Sequence, residues 1–224
     1  MEHKRITVFA GHYGSGKTNA AVNYALYLSS LEKHVAVADL DIVNPYFRSK
    51  DSERVLDKNG IRLITSQFAN SNVDAPALPP EAYALIDEPE LYSVIDVGGD
   101  DRGALALGRY TPAILAESNY EMLLVVNKYR PLTRDGKDAL LIMREIELAG
   151  GIKFTAIINN SNLGEETVPA DILDSQDYAR EISEKACLPI KMTTVRHDLA
   201  AELNEKIENV FPIHIYVKQS WQRD

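Results

Sequence analysis

The chain of 224 residues carries one cysteine, Cys187. No internal disulfide can form, and four-sulfur or CxxC metal chemistry within one chain is excluded. Its setting, Lys185-Ala186-Cys187-Leu188-Pro189, reads as a helix end entering a strand, with the thiol as a small core residue. Positive charge is also scarce: 24 Lys and Arg stand against 33 Asp and Glu, a formal net charge of −9. Proteins of bulk nucleic acid carry a basic patch that displaces phosphate counterions, and no basic cluster is visible, so nucleic acid is disfavoured as a partner. Long apolar runs are missing too. The run at 6–10 is too short for a signal-peptide core or a membrane span, and residues 211–224 show no basic amphipathic face for a membrane anchor. A cytoplasmic setting is expected. With no internal repeat, low-complexity tract or dividing linker, residues 1–224 read as a single domain long enough to bury a sizeable core.

Short apolar runs alternate with segments of helical period, which predicts βα units around a mainly parallel sheet, an α/β fold. Strands are expected at 6–10, 35–39, 61–65, 93–97, 122–127, 154–159 and 189–193, each Val- and Ile-rich and bounded by polar residues or Gly. Ala21, Ala25 and Leu28 recur at helical spacing, as do Ala139, Ile142, Met143, Ile146 and Ala149, after which Gly150-Gly151 supplies a stop. Pro112 starts or kinks a helix after the fourth strand. The turn-rich stretch 66–80 reads as a flexible or partner-contacting loop.

Between the first strand and its helix stands Gly11-His12-Tyr13-Gly14-Ser15-Gly16-Lys17-Thr18, which fits G-x-x-x-x-G-K-[ST] in its required strand–loop–helix context. Such glycines let the backbone curl so that successive N–H groups point at phosphate oxygens, and the helix N-terminus adds a favourable dipole. Lys17 would pair with the β- and γ-phosphates and the Thr18 hydroxyl would take a place on Mg²⁺. Asn19 follows directly and is assigned to the same nucleotide site. The fourth strand ends in Asp96-Val97-Gly98-Gly99-Asp100. A carboxylate at the end of a buried strand is costly unless something uses its charge, and a metal-bound water beside the loop would do so. Gly98 and Gly99 would let the backbone approach the γ-phosphate. A second acidic pair, Asp39 and Asp41, closes the second strand; one carboxylate could serve the Mg²⁺ shell and the other orient the attacking water, or both could cap a turn.

These three segments, in this order and spacing, resemble the MinD/ParA-like P-loop ATPases, a group that also includes the CobQ/CobB-type nucleotide-binding domains. The resemblance runs from Ile6 to about Asp198. It implies a sheet of about seven strands, mainly parallel, with the P-loop strand beside the Asp96 strand. It also implies ATP, Mg²⁺ and a homodimer, in that family often nucleotide-dependent. On that similarity Asp41 falls at the water-activating position of switch I, and Asp96 to Asp100, with Gly98 and Gly99, at the Walker B and switch II position. The chain departs from the family at His12 and Tyr13, where a signature lysine and a glycine usually stand. Histidine is shorter and only partly charged near neutral pH. Cross-subunit catalysis would then draw its positive charge from His12, Arg102 or Arg109.

Asn127-Lys128-Tyr129-Arg130 looks like the guanine signature N-K-x-D but ends in Arg130, which cannot accept hydrogen bonds from guanine N1 and N2. It reads instead as a strand end and turn. Asn159 and Asn160, at the end of the next strand, are the better base-contact candidates, because an Asn amide can both donate to and accept from adenine; relatives place an adenine-reading Asn there. His34 and His197 have no metal-ligand spacing. Three functions follow. The first is a Mg²⁺-dependent ATPase acting as a nucleotide switch for a partner protein or enzyme complex. The second is an ATP-dependent small-molecule ligase or kinase of dethiobiotin-synthetase-like type, with a substrate pocket from 67–74 and 130–134. The third, a non-hydrolysing module, is disfavoured by Lys17, Thr18, Asp41 and Asp96 occurring together.

Overall fold

A computed structural model describes residues 3–40, 49–65, 84–99 and 101–216. Asp41, Asp100, the 66–80 loop and the 67–74 half of the second pocket lie outside the described residues, as does the Arg102 side chain. Eight strands occur among the described residues: β1 (Ile6–Ala10), β2 (His34–Asp39), β3 (Arg62–Thr65), β4 (Leu91–Asp96), β5 (Tyr120–Val126), β6 (Ala156–Asn159), β7 (Ile190–Arg196) and β8 (Val210–Ile213). Between them run α1 (Lys17–Ser30), α2 (Ser49–Lys58), α3 (Ala84–Asp87), α4 (Asp101–Gly108), α5 (Thr111–Glu117), α6 (Gly136–Gly150), α7 (Pro169–Ala186) and α8 (Ala200–Leu203).

The strands form one all-parallel sheet in the order β3-β2-β4-β1-β5-β6-β7-β8. Parallel neighbours need crossover helices, and those helices cover both faces. On β1 the side chains alternate. Ile6, Val8 and Ala10 enter one apolar cluster with residues of α4, α5, α6 and α7, while Phe9 enters another with residues of α1 and α2. The result is the three-layer fold of P-loop nucleoside triphosphatases. β8 is an eighth strand where about seven were expected. Pro212 lies within it and donates no N–H, which only an edge strand tolerates, and β8 is the edge.

Local chemistry sets the element ends. The Asp135 carboxylate caps α6 by accepting from Asp138 N–H at 2.9 Å, and Gly151, at φ 66°, ends it. Pro112 lies in the first turn of α5. Cys187 was expected in the core but is exposed: it caps α7 with φ 55°, and this left-handed turn rolls the thiol outward. No described helix is long and apolar enough to cross a membrane.

The amino ends of the strands hold buried charge. Arg5, 4% exposed, donates from Nε to Glu117 at 2.6 Å and from its two Nη atoms to the carbonyls of Leu85, Ile86, Glu88 and Leu91. Glu121, at the start of β5, accepts from Thr7 Oγ1 at 3.1 Å, from the Tyr24 hydroxyl at 3.2 Å and from Lys191 Nζ. Burial pushes the Tyr24 hydroxyl well above the usual tyrosine range.

Candidate nucleotide site

The carboxyl ends of the central strands β4, β1, β5 and β6 converge on residues 11–18. Gly16 is the N-cap of α1, with φ 85°. A Cβ there would lie 2.2 Å from Asn160 Nδ2, so only glycine fits. Asn160 explains the crowding. Its Nδ2 donates to Ser15 O at 2.5 Å, and its Oδ1 accepts from Thr194 Oγ1 of β7. One buried amide thus ties the loop to the ends of β6 and β7. Lys17 is 2% exposed, and its ammonium donates to His12 O at 3.2 Å, inside the curl of the loop. The Ser15 hydroxyl is buried with no hydrogen-bond partner.

On the β4 side, Thr18 Oγ1 donates to Asp96 Oδ2 at 2.6 Å. Asp39 is paired in register with Asp96 across β2 and β4, and both are buried. Thr18, Asp39, Asp96 and Ser52 line one small pocket, walled on its other sides by Ala21, Val22 and Leu56 among others. Among the described residues no three acidic, histidine or cysteine side chains converge on one point. Two carboxylates and a hydroxyl nevertheless fit Mg²⁺, which is bound by one or two carboxylates and completes its shell with water and phosphate oxygens. Gly98 is buried, and Gly99 abuts the loop: a Cβ on Gly99 would lie 2.5 Å from Tyr13 N. The segment after Asp96 and the phosphate loop therefore touch through backbone.

Other assigned residues turn elsewhere. The Asn159 amide is fully buried. It donates to Ser175 Oγ of α7 at 2.9 Å and accepts from Ser161 N and Oγ. Asn19 accepts Tyr216 N–H at 2.9 Å, and Asn23 exchanges hydrogen bonds with the backbone of His214, so the two hold the segment after β8 against α1. His12 folds back, its Nδ1 donating to Tyr13 O at 2.8 Å, while Tyr13 is 51% exposed at the tip of the loop. Arg109 is exposed one residue past α4.

The turn after β5 behaves as a strand end closed by the 3-10 turn Pro131–Thr133. Asn127 accepts Tyr129 N–H, Lys128 pairs with Asp174 at 2.6 Å, and the Tyr129 hydroxyl donates to Asp171 O. Burial, then the nearby carboxylates, push the Tyr129 hydroxyl up to about 12. Arg130, which fails as a guanine contact and begins the 130–134 half of the expected substrate pocket, lies against the phosphate loop. Its Cδ and Nε both lie 3.8 Å from the position of a Gly14 Cβ.

No protein-family model matches the chain, and no curated protein matches it in sequence. Solved structures share its fold. The cell division protein FtsY of Thermotoga maritima superposes with a TM-score of 0.56 and 22% identity, covering 94% of this chain and 65% of its own. The signal recognition particle receptor FtsY of Elizabethkingia anophelis, in complex with GDP, gives 0.55 and 16%, covering 87% and 58%. The signal recognition particle 54 kDa protein of Aeropyrum pernix, also with GDP, gives 0.53 and 16%, covering 86% and 41%. The chain thus spans from about two fifths to just under two thirds of the length of these structures. At these identities the likeness is one of fold.

Proposed function

We propose that the chain binds and hydrolyses a nucleoside triphosphate with Mg²⁺, and acts as a nucleotide switch read by a partner protein or enzyme complex. The observation that carries this is the Thr18–Asp96 hydrogen bond beside a formed phosphate loop. It joins the loop hydroxyl to the strand-end carboxylate, the two groups that hold Mg²⁺ in P-loop enzymes. Thr18 and Asp96, with Asp39 beside them, would hold the ion, which supplies neutralising charge to the phosphates. Lys17 holds the transferred phosphate, and Asp41 positions the attacking water.

ATP is the proposed nucleotide, although GDP occupies two of the similar structures. The guanine signature N-K-x-D sets a carboxylate against N1 and N2. Neither Asn127-Lys128-Tyr129-Arg130 nor Asn159-Asn160-Ser161-Asn162 supplies one. Of the two candidate asparagines, Asn160 lies against the phosphate loop, with its amide bonded to Ser15 O and Thr194 Oγ1, so the choice of ATP does not rest on it. The resemblance to MinD/ParA-like ATPases supports the same choice, and with it a homodimer that closes on the nucleotide side.

Calorimetric titration of the whole chain with Mg-ATP and Mg-GTP, paired with phosphate release, tests the reading. ATP should bind at least about tenfold more tightly, a difference of about 1.4 kcal/mol, and turn over without an added acceptor. Asp41→Ala should slow release while leaving ATP binding intact. Preference for GTP would remove the adenine assignment. Release that requires a small-molecule acceptor would make the chain a ligase or kinase, and no binding of either nucleotide would end the proposal.

A further inference from the structure

Among the described residues, Arg130 is a cation beside the phosphate loop whose side chain has no hydrogen bond or ion pair. It follows β5, the neighbour of β1 on the flank opposite β4, Asp96 and Asp39. Lys128 and Tyr129, in the same turn, reach away to Asp174 and Asp171 of α7. Arg130 instead lies along Gly14, with Cδ and Nε at contact distance from the space its missing Cβ leaves. Its Nε is buried and without a partner. A guanidinium is always charged and presents donors in a fork that matches phosphate oxygens. Leaving one such donor desolvated and unmatched is unfavourable unless an anion completes it. Burial also lowers the Arg130 pKa, as expected for a cation lacking a counter-charge. The backbone sets the position: Arg130 is extended, with φ −103° and ψ 131°, and the Pro131 turn begins behind it.

We infer that Arg130 is a phosphate-binding residue of the site, a second fixed cation that grips the polyphosphate of a nucleoside di- or triphosphate from the β5 flank. Lys17 acts from inside the loop and the carboxylates act on the β4 flank. Arg130 supplies its charge within the same chain, so phosphate binding needs no cation from a second subunit. The inference rests on the nucleotide-site reading above.

The test uses the whole chain with a fluorescent ADP analogue and unlabelled ATP, ADP and adenosine as competitors, at fixed salt. Wild-type protein must bind ADP, and Lys17→Ala must lose it; failure there removes the nucleotide reading itself. Given that binding, Arg130→Met, which keeps the packing on Gly14 without the charge, should weaken ADP and ATP by about tenfold to a hundredfold. Adenosine affinity should not change. Arg130→Lys should recover part of the loss. Melting temperatures of the ligand-free variants report whether packing alone was altered. Equal ADP affinity in wild type and Arg130→Met, or an equal loss for adenosine, would overturn the inference while leaving the nucleotide site standing.

Discussion

The two ends of the sheet use buried charge in opposite ways. At the amino ends Arg5 meets four carbonyls and a carboxylate, and Glu121 meets a lysine and two hydroxyls. Every donor and acceptor cited there has its match within the protein. At the carboxyl ends the Ser15 hydroxyl and the Arg130 Nε are buried with none. A folded chain keeps unmatched buried polar groups only where something else completes them, so the contrast separates structural charge from charge held for a ligand.

The contrast can be broken by mutation. The largest effect should come from Arg5→Met, which leaves Glu117 and the four carbonyls short of a donor. A loss of about 3–5 kcal/mol is expected in denaturant unfolding, with nucleotide affinity of the folded fraction unchanged. Next comes Lys17→Ala, with the opposite signature. Nucleotide affinity should fall on the order of a hundredfold, about 2.7 kcal/mol, while the ligand-free protein melts within a few degrees of wild type. If Lys17→Ala destabilised the chain as much as Arg5→Met, the division between the two ends would not hold. The smallest effect concerns pH. The hydrogen bond from Arg5 holds the Glu117 carboxyl below its ordinary value, so its contribution is complete above that value and is lost as pH falls through the folded-state pKa. Glu117 is partly exposed, so the contribution is modest. Glu117→Gln should flatten the acid limb of the stability curve below roughly pH 4.5 and leave the neutral region little changed. A variant as steeply acid-sensitive as wild type would assign that limb to other carboxylates.

The phosphate loop was legible because its requirements are local: glycines, one lysine and one hydroxyl at fixed spacing between a strand and a helix. The parallel sheet was legible because strands buried on both faces read as unbroken apolar runs. Other features depend on direction, which residue identity does not encode. Asn159 and Asn160 are adjacent and chemically identical, yet one points to α7 and the other to the loop, because successive strand residues face opposite ways. Cys187 is exposed because the chain turns left-handed there, a conformation seldom expected of a cysteine. β8 was hidden by Pro212. The sequence offers Arg130 as a failed reader of guanine and as part of a 130–134 substrate pocket, while its place against Gly14 depends on β5 lying beside β1, a tertiary fact.

Asn160 also bears on the timing of binding. Its amide fastens Ser15 to two strands that do not belong to the loop, so the cradle takes its shape from the sheet and not from the phosphate that fills it. A site shaped in advance has little ordering left to do when its ligand arrives. Nucleotide should then enter about as fast as diffusion and docking allow, and the hold on one nucleotide over another should be set by how slowly each departs.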